Sequence, residues 1–341
     1  MGVGPRGGRW PAAGVRVRFR ARCHDDAVDP TPGRTRPEVA VVGTANLDHT
    51  VGVARLPRPG GRVVSEILAT AVGGKGVNQA VAAARQGRRV ALIACVGDDP
   101  AGADVRAVLA AESTLDARGV ATVGLPTGTA FVTVGADSAN TVVSTPGANG
   151  ACTADHVHRH GDAIASARVV LVQLGIPPEA VQAALDIARS VDTIVVLDPA
   201  PADEVTDDLL RGVAVCTPNE TELERLTGIA PDDPEGVARA TAALRARGCG
   251  AVVATLGAQG AYVLGPAGPG RFVAPVPVAV VDPTGAGDAF AGVLAAGLAV
   301  GTPLDDAVGL AVVAGALATR RVGAVAALPT AAEIDAVARN R

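Results

Sequence analysis

Val39-Ala-Val-Val-Gly43 is a short apolar run closed by a glycine, which reads as a buried strand. Similar runs follow at residues 90–95, 169–173, 193–197, 212–216 and 251–255, and Ala-rich amphipathic stretches of helical length separate them at 77–86, 104–111, 178–190 and 234–247. Strand and helix alternating in this way predict an α/β fold, a doubly wound and mostly parallel sheet flanked by helices on both faces. Two segments break the rhythm, at about 51–71 and 127–143. Their alternating Val, Thr and Ile residues predict extended strands outside the main sheet, a small β-strand lid. From Gly285 the chain reads as two consecutive helices and a final one at 331–339. Residues 1–37 carry eight arginines and Gly/Pro clusters but no apolar period, so a disordered tail is expected there, with one domain over 38–341.

Composition narrows the function. Of 341 residues 48% are apolar, and 34 acidic side chains face 30 basic ones. A net charge of −4 with 2% aromatics supplies neither the basic groove nor the stacking platform of a nucleic-acid binder. The longest apolar stretches, 289–301 and 307–318, are too short to span a bilayer. Cys23, Cys95, Cys152, Cys216 and Cys249 have no C-x-x-C spacing, which indicates neither a disulfide framework nor a zinc site and suits a reducing cytoplasm. His156-x-His158-x-His160 lies in a polar segment where only the outer pair shares a helix face, and it reads as a solvated face.

Chemistry concentrates in five places. Asp282-Pro-Thr-Gly-Ala-Gly-Asp288 follows the apolar extended run 276–281 and opens a helix. Its glycines let amides at the helix start face outward as an anion site, beside a carboxylate able to take a hydroxyl proton. Gly73-Gly74-Lys75-Gly76-Val77-Asn78 is a glycine-rich turn without P-loop spacing, and it holds the only lysine of the chain. Asn46 and Asp48 follow the first strand, where open α/β sheets bind ligands, although an Asx-turn would use the same residues. Asn219 and Glu222 lie one turn apart, spaced to hold hydrated magnesium or to cap a helix. Thr255-Leu256-Gly257-Ala258-Gln259-Gly260 ends a strand in a turn against which a nucleotide could lie.

In this order the motifs resemble the ribokinase-like carbohydrate kinases of the phosphofructokinase-B type, over residues from about 38 to 330. Gly73 to Arg85 and Pro57-Arg-Pro-Gly60 point to the ribokinase branch. The resemblance implies that Asp288 is the catalytic base and that Gly285, Ala286 and Gly287 form an anion hole. It gives Asn46, Asp48, Gly74, Lys75, Gly76 and Asn78 to the sugar. Asn219, Thr255, Leu256, Gly257, Ala258, Gln259, Gly260 and Gly287 go to ATP, and Glu222 to Mg2+. A monovalent cation, K+, would lie near Asp282, Thr284, Ala318, Arg321 and Gly323, held mostly by backbone carbonyls. Four departures stand out: Gly175 replaces a sugar-binding glutamate, Val312 an asparagine near adenine, Arg62 a lid glutamate, and Ala327 a serine near the cation.

The function expected from this resemblance is ATP-dependent phosphorylation of D-ribose at O5, in the cytoplasm. A nucleoside or other sugar kinase is the alternative, because Gly175 could make room for a base; a non-catalytic sugar sensor is a third. Sugar and ATP are the expected partners, with a homodimer through the lid as a further possibility because unpaired sheet edges need cover.

Overall fold

The computed structural model describes residues 36–58, 60–65, 67–136 and 140–339. The tail expected over 1–37 lies outside them apart from Arg36 and Pro37. Thirteen strands are formed among the described residues: β1 (Val39–Val42), β2 (Asn46–Val53), β3 (Ile67–Gly73), β4 (Val90–Gly97), β5 (Leu115–Val123), β6 (Gly128–Gly135), β7 (Asn140–Thr145), β8 (Val169–Gln173), β9 (Ile194–Asp198), β10 (Val215–Cys216), β11 (Ala251–Thr255), β12 (Ala261–Leu264) and β13 (Arg271–Val273). The helices are α1 (Lys75–Ala84), α2 (Pro100–Ala110), α3 (Ala154–Arg159), α4 (Gly161–Ser166), α5 (Pro178–Ser190), α6 (Asp207–Leu210), α7 (Glu220–Thr227), α8 (Pro234–Ala246), α9 (Ala286–Ala299), α10 (Leu304–Ala318) and α11 (Ala331–Ala338).

Nine strands form one sheet in the order β13-β12-β11-β10-β9-β8-β1-β4-β5, parallel except for the two antiparallel strands β12 and β13. Alternate residues feed two cores. Val39, Val41, Leu92 and Leu171 pack toward α1, α9 and α10, whereas Ala40, Val42, Ile93 and Val172 pack toward α3, α5 and α8. The predicted doubly wound architecture is therefore present. Sequence order runs outward from β1 in both directions, so the switch point lies at β1 and β8, where such sheets leave a crevice at the carboxyl ends of the strands.

A second sheet, β3-β2-β6-β7, stands apart from the first. It is longer than the alternation at 51–71 and 127–143 indicates, because β2 begins at Asn46 and pairs Asn46 with Gly73 and Asp48 with Ala71. Asn46 and Asp48 are thus on a strand rather than in an Asx-turn. The run 276–281 forms no strand, with Val280 and Val281 exposed, and the strand at 212–216 shrinks to two residues after a turn at Gly212 with φ 84°.

Helices α1 and α9 approach each other at Gly292, where an added Cβ would lie 2.6 Å from both Ala82 Cβ and Gln79 O. Gly292→Ala should lower stability by about 1–3 kcal/mol, overpacking outweighing the gain in helix propensity of up to ~1 kcal/mol. Urea unfolding checks this, and a variant as stable as the parent would show that the two helices separate easily.

Candidate active site

The turn after β1 and the start of α1 build the floor of the crevice. Gly74 (φ 89°) caps α1, and a Cβ there would sit 2.8 Å from both Thr44 O and Asn46 N, while one on Gly76 would meet Thr44 O at 2.7 Å. Glycine is required at both positions for this approach, and Gly76 is buried against the turn. Asn149, on the 3-10 turn Gly147–Ala151, locks the same place by accepting from Ala45 N (2.9 Å) and donating to Asn46 Oδ1 (2.8 Å).

Helix α1 carries Lys75, Asn78 and Gln79 into a buried polar network. Lys75 Nζ lies 2.9 Å from Asp198 Oδ2 and 3.8 Å from Asp288 Oδ1. Asn78 donates to Asp288 Oδ2 (2.8 Å), and Gln79 Nε2 donates to Asp198 Oδ2 (2.6 Å) and Asp288 Oδ1 (3.0 Å). Gln173 Nε2 in turn donates to Gln79 Oε1 (2.6 Å). Burial raises the Asp288 pKa, opposed first by the Lys75 charge and assisted by Asp198. Asp48, lying over Gly73, is pushed up to about 6 by burial and then by the Asp288 charge. Three buried oxygens, Asp48 Oδ1, Asn78 Oδ1 and Gln173 Oε1, have no hydrogen-bond partner among the described residues. Acceptors left this way call for a donor-rich ligand.

Asp288 lies on the first turn of α9, 7% exposed. Gly285 (φ 77°) caps the helix, and the Gly287 and Asp288 N–H groups make no hydrogen bond among the described residues, so two orphan donors stand at the positive helix end, an arrangement able to hold an anion. The Ala286 N–H is not a third, since it donates to Pro283 O at 3.2 Å. Asp282 ties this turn to the chain after α10, accepting from Thr284 N (2.9 Å) and Gly323 N (2.8 Å). Burial works against its charge, but these bonds and the Thr284 hydroxyl hold its pKa below the ordinary value.

Asn219 and Glu222 form a complete capping box on α7, at 2.8 and 2.9 Å, which leaves the Asn219 amide nitrogen and the second Glu222 oxygen for other partners. Burial, then Asp198, raises the Glu222 pKa, and Lys75 offsets part of the rise. Asn219 also bridges Thr255. In the turn that follows, Gly257, Ala258 and Gln259 are exposed. Leu256 is buried in a core, and Gly260 is demanded by Val273 O, 2.2 Å from an added Cβ. Leu256 and Gly260 therefore serve the turn's shape. Ala318 is buried at the end of α10, and the Arg321 guanidinium is bound to Glu333 (2.5 Å), which leaves to both only their main-chain atoms for a cation. Gly175 has φ 86°, a conformation that resists any side chain, and its N–H donates to Glu204 Oε2 at 3.4 Å.

Asp198, Gln79, Gln173 and Asn149 were not assigned a role from the sequence. The one available signal is that Gln173 and Asp198 are polar residues ending buried apolar strands at the crevice. His156 departs from the expected solvated face: it is buried, with Nε2 2.9 Å from Gly119 O.

Because the Asp48 pKa is raised in the fold, the folded state holds a proton that an unfolded chain releases, and this contribution to stability is lost as pH rises through about 6. Asp48→Asn should therefore gain stability relative to the parent above pH 6 and not at pH 4. Thermal unfolding across that range checks the sign.

Residues 36–331 match the family described as pfkB family carbohydrate kinase. A ribokinase of Haemophilus influenzae is 36% identical over 299 residues, covering 87% of this chain and 97% of that protein. A mouse ribokinase is 36% identical over 278 residues, covering 77% and 84%. Among solved structures, an Arabidopsis thaliana ribokinase complexed with ribose and ATP superposes with a TM-score of 0.81 at 28% identity, covering 89% of this chain and 99% of that one. A Cryptococcus neoformans ribokinase in complex with ADP gives 0.76 at 30% identity, covering 90% and 100%. Matched by the family model over most of its length and 36% identical to a relative that it covers almost whole, the chain belongs to the pfkB family of carbohydrate kinases.

Proposed function

We propose that this protein is an ATP-dependent kinase that phosphorylates D-ribose at O5. The observation that carries the reading is the pair of unpartnered buried acceptors, Asp48 Oδ1 and Asn78 Oδ1, beside Asp288 at the foot of the anion site. Hydroxyl groups of a free sugar satisfy such acceptors, and a buried carboxylate of raised pKa suits a general base. Four ribokinases at 32–36% identity over most of their length, and the ribose- and ATP-bound neighbour, support the same substrate pair.

In this reading Asn46, Asp48 and Asn78 orient the sugar so that O5 faces Asp288. Asp288 takes the O5 proton as the bond from O5 to the γ-phosphorus forms and the bond to the β-phosphate oxygen breaks, releasing ADP. The Gly287 and Asp288 amides hold the charge on the transferring phosphoryl group. Lys75 places its positive charge between Asp288 and Asp198. Gly257, Ala258 and Gln259 face the nucleotide. Asp198, Asn219 and Glu222 would hold Mg2+, because they offer carboxylate and amide oxygens and the Asp198 charge already disfavours a second negative charge on Glu222. Bound there, Mg2+ supplies charge neutralisation at the phosphates.

The main-chain oxygens of Asp282, Thr284, Ala318, Arg321 and Gly323 accept no hydrogen bond among the described residues, a donor set suited to K+. The small sheet acts as the lid, and its exposed Phe131, Val142 and Val143 fit a second copy of the chain. Glu204 stands in for the carboxylate missing at Gly175. A cytoplasmic enzyme agrees with four cysteines that are free and buried. No helix among the described residues is long and apolar enough to cross a membrane.

Four outcomes follow. In an ADP-release assay over pentoses, hexoses and nucleosides, ribose should give the highest kcat/KM; adenosine or fructose ahead of it would refute the assignment. Asp288→Asn should lower kcat by about 10²-fold or more with ATP affinity kept, and a variant above half activity would place the base elsewhere. The ribose KM should rise as pH falls below about 6, where Asp48 gains a proton and its acceptor is lost, and K+ should activate more than Na+. A flat KM between pH 5 and 7 would remove Asp48 from the sugar site.

A further inference from the structure

Cys95 near the end of β4, Cys152 after the Gly147–Ala151 turn and His156 on α3 converge on the face of the sheet opposite α1. One donor atom from each lies within 4.8 Å of the others, and the three residues are 1%, 0% and 2% exposed. A tetrahedral zinc ion with bonds of about 2.0–2.3 Å keeps its donors about 3.3–3.8 Å apart, so a contraction of about 1 Å closes the set.

The state of the histidine is fixed by its surroundings. Gly119 O can only accept, so the ring nitrogen Nε2, 2.9 Å away, carries the proton. Burial lowers the ring's pKa, opposed by the Gly119 and Ala94 carbonyls and assisted by the nearby Arg159 charge. Nδ1 then holds a lone pair, and this buried atom has no hydrogen-bond partner among the described residues. An imidazole whose second nitrogen donates to a backbone carbonyl is oriented as metal-bound histidines are.

We propose that Cys95, Cys152 and His156 form a binding site for a thiophilic divalent cation, for which Zn2+ is the probe. Two thiolates and a neutral imidazole select soft or borderline ions over Mg2+, which separates this site from the phosphate site. Two thiolates also cancel a divalent charge, whereas Cu+ would leave a net negative charge in a dry core. Binding replaces two S–H bonds by two S–Zn bonds and releases two protons to solvent. The ion would join β4 to the turn bearing Asn149, whose carbonyl already accepts from Cys152 N at 3.1 Å, and so brace the residue that holds Asn46.

The test uses the full chain with Cys23→Ser, stripped of metal under reducing conditions and kept in excess Mg2+. One equivalent of Zn2+ should remain after gel filtration and raise the melting temperature, and Co2+ in its place should give thiolate-to-cobalt charge-transfer absorption. Both should vanish in Cys95→Ala/Cys152→Ala and persist in Cys249→Ala. Absence of the cobalt band in the parent overturns the proposal without any variant, as does its persistence in the double variant. A chain two mass units light under non-reducing conditions, with Cys95 and Cys152 joined, would show a disulfide pair and overturn it equally.

Discussion

Two carboxylates, Asp198 and Asp288, are buried where β9 and α9 meet, and one ammonium, Lys75, compensates them. Burying a carboxylate away from water is costly unless charge and hydrogen bonds compensate it. Lys75, Gln79 and Asn78 supply that compensation with charge and with hydrogen bonds of 2.6–3.0 Å, and all three stand on the first turns of α1. The position of α1 is thus an electrostatic requirement as much as a packing one. Removing one partner from such a network leaves the remainder uncompensated in low dielectric, which is why its members cannot be varied singly at small cost.

Glycine makes that position attainable. The start of α1 rests on the turn after β1 only because Gly74 and Gly76 present no Cβ to Thr44 O, and the middle of the helix meets α9 at Gly292 for the same reason. α9 brings Asp288 and the free amides, so two close helix contacts set how Asp288 and those amides stand against Lys75 and Asn78. The surrounding Ala-rich cores have small side chains throughout, which lets backbones approach and leaves little slack for enlargement.

The strands and most helices were legible because each is a local pattern: apolar runs for buried parallel strands, amphipathic Ala-rich stretches between them. The glycine-rich turns before α1 and α9 were legible too, and with them the positions of Lys75, the lone lysine, and Asp288 at the starts of those helices. Other features depend on contacts between distant segments. Gln173, Gln79 and Asp198 stand on separate elements and acquire a role only in the folded crevice. Asn46-x-Asp48 looks like a turn until Gly73 and Ala71 are seen opposite it. His156 has Asp155, His158 and Arg159 as neighbours, a polar stretch by any local measure, yet it faces inward against Gly119. The Ala286 amide illustrates a finer limit, because a helix start offers several donors and local geometry decides which one a nearby carbonyl has already taken.

The scarcity of lysine has a consequence for the covalent chemistry of this surface. Apart from the terminal amine, Lys75 Nζ is the only primary amine in the chain, and it is partly exposed at the mouth of the crevice with its charge engaged by Asp198. Acylating reagents, amine crosslinkers and enzymes that modify lysine side chains therefore find no harmless target on the body of the molecule. Any adduct they make on a side chain discharges the cation between two carboxylates and obstructs the pocket. Occupancy of the crevice would shield that amine, so its acylation rate serves as a built-in gauge of ligand binding.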